Sequence, residues 1–251
     1  MKAVFVTIFP ELIESFFSVG VINKALDESI INFEVVNPIK FLKNSERLDD
    51  APYGGGPGML FRSEHIEEAI NESKKLTSSN AKVINLSPQG KKLTQEKAKK
   101  LALDKELIFV CGRYEGIDQR FINNFVNEEI SIGDYVLSGG EIAACVVIDT
   151  ILRNIEGVIG KKESVSRDSF SDGKLKGHVY TRPKEFEGDH VPEILLSGDH
   201  KKIEEWKLAN SLWVTKQKRP DLFKQIQLSE KEMILLRQYE DQINEKINTN
   251  G

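Results

Sequence analysis

The sequence has few cysteines, no excess of positive charge and no long hydrophobic run. Its two cysteines, Cys111 and Cys145, both lie in apolar stretches, so we expect reduced core thiols instead of a disulfide or a zinc site. The net charge of −4 argues against a protein that coats nucleic acid by bulk charge. The most apolar stretch, 142–152, is too short to cross a membrane and contains Asp149. Because the N-terminal segment also lacks the pattern of a secretory signal, we expect a cytoplasmic protein without a membrane partner.

Three common nucleotide-binding or hydrolytic motifs are missing as well. No GxGxxG follows the first predicted strand, which disfavours a dinucleotide-binding fold. Gly160 and the lysine after it look like the end of a P-loop, but Ile155 stands where the first glycine is required and Lys162 where Ser or Thr is required. No GxSxG nucleophile elbow is present. These absences weigh against a nucleotide-hydrolysing enzyme and against a serine hydrolase.

The hydrophobic pattern predicts an α/β fold with a mostly parallel sheet and helices on both faces. Strands are predicted at 3–9, 31–36, 82–86, 107–111 and 129–132, and helices from Pro10 through the twenties and at 63–76, 94–103, 117–126 and 141–153. Residues 40–62 read as a loop, and Ser63 is predicted to cap the helix that follows it.

The periodicity fails from Glu156 to about Pro192 and then becomes helical. A stretch of that length without regular structure is typical of a linker or a functional loop. Helices are predicted at about 200–216, 220–225 and 229–247, with Ser229 and Glu232 forming a capping box. We therefore expect an α/β domain at 1–160, a flexible linker at 161–177 and a small helical domain at 178–251.

Glycine-rich loops follow three of the predicted strands. They are Ser87–Gly90, Gly112–Gly116 and Gly133–Gly140. In parallel sheets, ligands bind at the carboxyl ends of the strands, which is where all three loops fall. Each loop alone is better explained by a tight turn, but three at one sheet edge, two of them with acids, favour a ligand site.

Seven segments of the chain, in order, closely resemble the bacterial tRNA (guanine-N1)-methyltransferases, which belong to the SPOUT class. They are YGGGPGM at 53–59, LSPQG at 86–90, CGRYEGID at 111–118, SIGDYVLSGGE at 131–141, DSF at 168–170, YTRP at 180–183 and LLSGDH at 195–200. The resemblance implies a trefoil knot in the α/β domain, a homodimer, and S-adenosylmethionine as the methyl donor. It also implies a tRNA substrate that is methylated on N1 of the guanine just 3′ of the anticodon, at position 37.

Matching the motifs residue by residue gives the expected cofactor contacts. They are Leu86, Ser87, Pro88, Gln89, Gly112, Tyr114, Glu115, Ile132, Gly133, Asp134, Tyr135, Val136, Leu137, Gly139 and Gly140. The three glycine-rich loops become the cofactor pocket under this interpretation.

The resemblance also implies the catalytic groups. Neutral guanine has no lone pair at N1, so a base must remove that proton, and Asp168 occupies the family's base position. Arg153 matches the position of a cation that stabilises charge on guanine O6. Three roles are open for Glu115: contact with the cofactor's charged end, contact with a neighbouring base, or binding of Mg²⁺, an ion that only the resemblance suggests. By residue type alone, Asp168 is better explained as a helix N-cap or turn aspartate. Arg153 can be a surface arginine at a helix C-terminus, and Asp118 and Glu141 can equally be helix-start acids.

The resemblance further implies that the linker of one subunit completes the site of the other and closes over bound tRNA. It also implies that basic residues of the C-terminal helices contact tRNA phosphates. The two tryptophans, Trp206 and Trp213, lie seven residues apart, a spacing more typical of core packing than of base stacking. Residues 174–179 depart from the family pattern before Tyr180. The leading alternatives are a SPOUT methyltransferase acting on a ribose 2′-hydroxyl and a non-catalytic RNA-binding protein.

Overall fold

A computed structural model of the chain describes residues 1–160 and 168–249. Its internal contacts divide the chain into two units, Met1–Lys162 and Glu163–Gly251. Within the segment predicted as a linker, residues 168–177 belong to the second unit, and residues 161–167 lie outside the described part. The two units are described separately below.

The first unit is built on a five-stranded sheet in which all neighbouring strands are parallel. The strands run in the order β2-β1-β6-β5-β7. Their bounds are β1 Lys2–Val6, β2 Asn32–Val36, β5 Lys82–Lys92, β6 Glu106–Val110 and β7 Glu128–Ser131, with a two-stranded antiparallel pair of β3 Asp49–Asp50 and β4 Leu60–Phe61 beside it. The parallel sheet predicted from the strand–loop–helix pattern is thereby confirmed.

Six α-helices are described in residues 1–160, and they cover both faces of the sheet. They are α1 Pro10–Phe17, α2 Gly20–Asp27, α3 Ser63–Leu76, α4 Gln95–Leu101, α5 Gln119–Phe125 and α6 Gly140–Leu152. Along β1, Phe5 packs into the core that α1, α2, α4 and α6 share, whereas Val4 and Val6 pack against α3 and α5. Strand β6 alternates in the same way, because successive side chains of a strand point to opposite faces. After their first residues, Lys2 and Glu106, both strands are therefore apolar.

Three local predictions differ from the structure. The single helix predicted after Pro10 is two helices, since the chain turns at Gly20, whose φ is +66°. Ser63 is the first residue of α3 and not its cap; Arg62 holds the cap position and makes no capping bond there. The loop predicted at 40–62 contains the β3–β4 pair, whose ends sit beside the second glycine-rich loop because Phe61 N donates to Gly116 O at 3.0 Å.

The second unit is mainly helical from residue 200 onwards, as predicted. It contains α7 His200–Lys218, α8 Pro220–Phe223 and α9 Glu230–Thr249, preceded by a short hairpin of β8 Glu185–Phe186 and β9 Asp189–His190. Trp206 and Trp213 both pack against Tyr239 of α9, with ring centroids 5.9 and 6.0 Å away, so the two tryptophans belong to the core between α7 and α9. The capping box is confirmed, because Ser229 Oγ accepts from Glu232 N at 3.3 Å and Ser229 N donates to Glu232 Oε2 at 3.0 Å.

Within the described residues, no helix is long and apolar enough to cross a membrane.

Candidate functional site

A cleft of about 340 Å³ opens at the carboxyl ends of β5, β6 and β7. The three glycine-rich loops form most of its wall. Of the residues expected to contact the cofactor, all except Asp134 line it; the others in the wall are Asn85, Arg113, Gly116, Ile117, Gln119, Ile122, Glu129, Ile130, Ser131 and Ala143. One cavity thus brings together three loops, of which the first and third lie more than 40 residues apart in sequence.

The first glycine-rich loop is a bulge within β5, which continues after it. Strand β5 pairs with β7 through Leu86, and the register then jumps so that Lys91 also lies opposite Ile130. The four residues between them, the predicted loop Ser87–Gly90, therefore bulge out of the ladder into the cleft wall. A bulge of this kind re-aims backbone groups at a functional site.

The second and third loops are held against each other by their backbones. Gly140 N donates to Gly112 O at 2.9 Å, and Arg113 and Gly139 form an antiparallel bridge. The tip of the third loop is more open: Tyr135 and Val136 are exposed, and Tyr135 donates through its hydroxyl to Ile132 O at 3.2 Å. Asp134 points away from the cleft wall and pairs with Lys92 at 3.3 Å.

Glu115 contacts the glycine-rich segment 53–59, and nothing in the sequence indicated this contact. Glu115 N donates to Met59 O at 3.1 Å. A Cβ on Gly58 would lie 2.4 Å from Glu115 Cγ, and Gly58 has a φ of +92°. Only glycine fits this position without displacing the Glu115 side chain. Gly58 belongs to the YGGGPGM segment that resembles the family. Its role in leaving room for Glu115 depends on a contact between residues far apart in sequence.

A buried ion pair lies behind the second and third loops. Glu141, the second residue of α6, is completely buried and accepts a hydrogen bond from Thr7 Oγ1 at 2.7 Å. Arg113 Nε lies 3.0 Å from Glu141 Oε2, and its guanidinium stacks on the Phe9 ring at 4.3 Å. Glu141 is thus a helix-start acid, as its sequence position indicated, but it also has partners in two other segments. No sequence signal pointed to Thr7.

Two polar residues of the cleft wall, Asn85 and Glu129, were also not predicted from the sequence. Asn85 and Glu129 sit on neighbouring strands, and Asn85 Nδ2 donates to Glu129 Oε1 at 3.0 Å. Asn85 lies inside an otherwise apolar predicted strand, and a buried polar residue at such a position was the available signal.

The two cysteines are not nucleophiles at neutral pH. Burial raises the pKa of Cys111 well above its usual range and that of Cys145 to about 11, and the nearby Glu141 carboxylate adds to both shifts. A thiol in such surroundings stays protonated and unreactive. Cys111 is fully buried as predicted, whereas Cys145 is only partly buried.

Asp118 is a charged cap at the edge of the second loop. Its carboxylate accepts from Arg120 N at 2.8 Å, which caps α5, and pairs with the Arg120 guanidinium at 2.6 Å. The hydrogen bonds from the Arg120 side chain hold the pKa of Asp118 at about 2. Asp118 is therefore a helix-start acid, which is one of the roles expected from its sequence position.

Arg153 lies away from the cleft of its own chain. It follows the last residue of α6, whose first residue, Gly140, lines the cleft. Twelve residues of helix separate the first and last residues of α6, or about 18 Å along the axis. Arg153 is also exposed. One chain therefore does not bring the predicted O6 cation to its own cofactor pocket.

Asp168 belongs to the second unit, where a short turn holds it. Its carbonyl accepts from Ser171 N at 3.2 Å, and Lys176 Nζ lies 3.7 Å from its carboxylate. The residues that follow dock on α7: Leu175 N donates to Thr215 Oγ1 at 2.9 Å, and His178 N donates to Asn210 Oδ1 at 2.5 Å. The predicted base thus sits at the start of a segment fixed by a polar stripe of α7.

Residues 1–160 and 168–249 contain no group of three or more His, Cys, Asp or Glu side chains arranged to hold a metal ion. Glu115 and Glu129 are the carboxylates among the residues of the cleft wall.

Comparison with known proteins gives one consistent family. A family model described as tRNA (Guanine-1)-methyltransferase TrmD matches residues 1–225. Proteins named tRNA (guanine-N(1)-)-methyltransferase are similar along nearly the whole chain. The one from Buchnera aphidicola subsp. Schizaphis graminum is 53% identical over 232 residues, 92% of this chain and 88% of that protein. Those of Neisseria meningitidis serogroup C and Shewanella woodyi are 50% and 46% identical, over 92% and 96% of this chain and 93% and 97% of those proteins.

Proposed function

The chain belongs to the tRNA (guanine-1)-methyltransferase family, and from this premise we propose that its cleft binds S-adenosylmethionine and that it methylates N1 of the guanine 3′-adjacent to the anticodon, at position 37. The observation that carries the proposal is the cleft itself. The loops that resemble the family's cofactor motifs converge on one cavity in the part of the chain that the family matches.

The cleft suits a nucleoside with a charged tail. Leu86, Ile132 and Leu137 supply apolar surface for a flat base, and the glycine-rich loops bring backbone polar groups close to it. Glu115 supplies a carboxylate at the same wall, where it suits a sulfonium or an ammonium group. S-adenosylmethionine supplies the methyl group, and the protein's part is to align that methyl with the guanine nitrogen.

The proton on guanine N1 must leave as the methyl arrives, and we assign its removal to Asp168. A carboxylate that approaches N1 takes this proton, while negative charge moves towards guanine O6. Arg153 is the cation assigned to O6, where it stabilises the developing charge. Both roles come from the family motif. The turn fixes the backbone of Asp168 within its unit, and Lys176 Nζ lies 3.7 Å from its carboxylate, which supports the first role.

The distance of Arg153 from its own cleft supports a homodimer in which two chains share each site. A two-fold axis across α6 would set the two copies of this helix antiparallel, so that the end of one faces the start of the other. Helix α6 is apolar on nearly every side, and it exposes Ile142 and Val146. Phe9, which precedes α1, and Leu12 of α1 add apolar surface, and α1 packs against α6. Such a face is typical of a subunit interface, and this arrangement brings Arg153 of the partner subunit towards the cleft.

Contact with tRNA phosphates is assigned to the basic residues of α7 and its C-terminal end. They are Lys201, Lys202, Lys207, Lys216, Lys218 and Arg219. Several already pair with acids of the second unit, such as Lys216 with Glu240 at 2.6 Å and Arg219 with Asp221 at 2.6 Å. A phosphate would compete with these exposed pairs, which are individually weak. Binding through them would weaken as salt rises.

Two finer features remain part of the proposal. The trefoil knot is proposed from the family resemblance, and a single-molecule extension shorter than that of an unknotted chain of equal length would test it. If Mg²⁺ takes part, Glu115 is the residue that would hold it, together with water and substrate oxygens. No step above runs through the metal.

The test of the function is the identity of the product. The purified chain is incubated with tRNA and S-adenosylmethionine, and the digested tRNA is analysed by nucleoside mass spectrometry against standards. The proposal predicts 1-methylguanosine. A 2′-O-methylated nucleoside would instead support the ribose-directed alternative, and an unmodified tRNA that is nevertheless bound would support the non-catalytic one.

A further inference from the structure

Three segments of the first unit meet at the buried carboxylate of Glu141. They are the end of β1 with Thr7 and Phe9, the second glycine-rich loop with Arg113, and the start of α6 with Glu141 itself. We call the side chains of Thr7, Arg113 and Glu141 the clamp. The expected cofactor contacts include none of these three residues.

Burial of the Glu141 carboxylate costs free energy, which indicates a role of the clamp beyond packing. A carboxylate removed from water is costly unless charged or hydrogen-bonding partners replace the water. Glu141 has three compensations: Thr7 Oγ1 at 2.7 Å, Arg113 Nε at 3.0 Å, and its place in the first turn of α6, where the helix dipole favours negative charge. Removing any one partner leaves a buried group less well compensated.

The clamp acts on the cleft through Arg113. The residues on either side of Arg113, Gly112 and Tyr114, line the cleft. Arg113 Nη1 also donates to Ser138 O at 3.2 Å, between Leu137 and Gly139 of the third loop. A Cβ on Gly139 would lie 2.3 Å from Arg113 Nε, so the guanidinium packs directly on the backbone of that loop. The position of this side chain therefore acts together with the backbone contacts between the two loops in setting the separation of two cleft walls.

We infer that the clamp is a positioning device for the cofactor: Glu141, held by Thr7, fixes Arg113 and thereby sets the spacing of the second and third loops around the bound S-adenosyl group. The inference rests on the proposed function of the cleft. Glu141 itself is not among the residues of the cleft wall, so it acts on the cofactor only through Arg113.

The test compares cofactor binding in isosteric variants. Glu141→Gln keeps the size of the side chain but removes the charge facing Arg113, and Thr7→Val removes the hydroxyl that holds Glu141. Binding of S-adenosylhomocysteine is measured by calorimetry, together with melting temperature, kcat and the KM for each substrate. Arg113 Nε and Glu141 Oε2 form an ion pair without hydrogen-bond geometry, whereas Thr7 Oγ1 donates a true hydrogen bond. Loss of the buried ion pair, or of this hydrogen bond to a charged group, predicts a Kd about 10- to 100-fold higher, with the KM for tRNA little changed.

The controls separate positioning from a loss of stability. Thr7→Ser keeps a hydroxyl and should restore most of the affinity that Thr7→Val loses. Asp104→Asn breaks the Lys82–Asp104 pair at the opposite, amino-terminal edge of the sheet, and it should leave the Kd for the cofactor unchanged. The combined Thr7→Val and Glu141→Gln change should cost less than the sum of the two, because both act through the same carboxylate.

A folded Glu141→Gln protein that binds S-adenosylhomocysteine as tightly as the wild type would overturn the inference. If that variant does not fold, Thr7→Val decides in the same way, and an equal loss in Thr7→Ser and Thr7→Val also counts against the inference. If the wild type itself fails to bind S-adenosylhomocysteine, the proposed function fails, which is a separate outcome.

Discussion

Sharing of each site between two chains predicts that two inactive variants restore each other. Ser87 lies in the cleft wall and is half-buried, so Ser87→Trp places an indole where the cofactor would bind. Arg153→Ala leaves the cleft intact but removes the cation assigned to guanine O6, about 20 Å along the helix axis from Gly140. Each variant alone should lose most activity, Arg153→Ala by about 10²- to 10³-fold if it acts as an electrostatic stabiliser.

The size of the recovery follows from two-fold symmetry. With free exchange, half of the dimers carry one copy of each variant, and one of their two sites combines an intact cleft with an intact Arg153. The mixture should therefore recover about a quarter of the wild-type rate. The reverse control mixes wild type with a Ser87→Trp/Arg153→Ala chain: shared sites predict about a quarter of the rate, and sites within one chain predict about half. The assay is methyl transfer after co-expression with two affinity tags. The shared site would be refuted if the mixture of Ser87→Trp and Arg153→Ala recovered no activity while the control mixture kept about half of the wild-type rate.

Three further predictions concern single residues. Asp168→Asn should bind S-adenosylhomocysteine normally yet lose most methyl transfer, and a variant with normal turnover would exclude Asp168 as the base. Gly58→Ala should weaken catalysis or cofactor binding because its Cβ would collide with Glu115, which kinetics and calorimetry measure; unchanged values would show that the Glu115 position is not needed. Asp118, whose pKa is about 2 when folded, adds stability above its unfolded pKa of about 4 that is lost as pH falls towards 2. Asp118→Asn should thus be less stable at pH 7, by no more than about 1 kcal/mol, and closer to wild type at pH 2 in urea melts.

The sequence predicted those features that depend on local pattern. Apolar strands followed by glycine loops predicted the parallel sheet, because a strand buried on both faces reads as a continuous apolar run such as Leu107–Cys111. The same pattern placed the loops at one sheet edge, and the structure brings nearly all their residues into one cleft. The break at Gly20 was missed because the apolar residues on both sides of it keep a helical period.

The parts that the sequence did not predict depend on contacts between distant residues. Thr7 and Glu141 are 134 positions apart, and nothing local marks Thr7 as the partner of a buried carboxylate. Gly58 acquires a role only through the side chain of Glu115. The roles of Asp168 and Arg153 came entirely from the resemblance, since neither residue type nor spacing distinguishes a catalytic group from a turn aspartate or a surface arginine.

The most direct test of the proposed activity is methyl transfer to matched tRNA transcripts. Labelled S-adenosylmethionine is supplied with a transcript that carries guanine just 3′ of the anticodon and with one in which adenine replaces that guanine. The account predicts label in the first transcript, recovered as 1-methylguanosine, and none above background in the second. Equal labelling of both transcripts would contradict it.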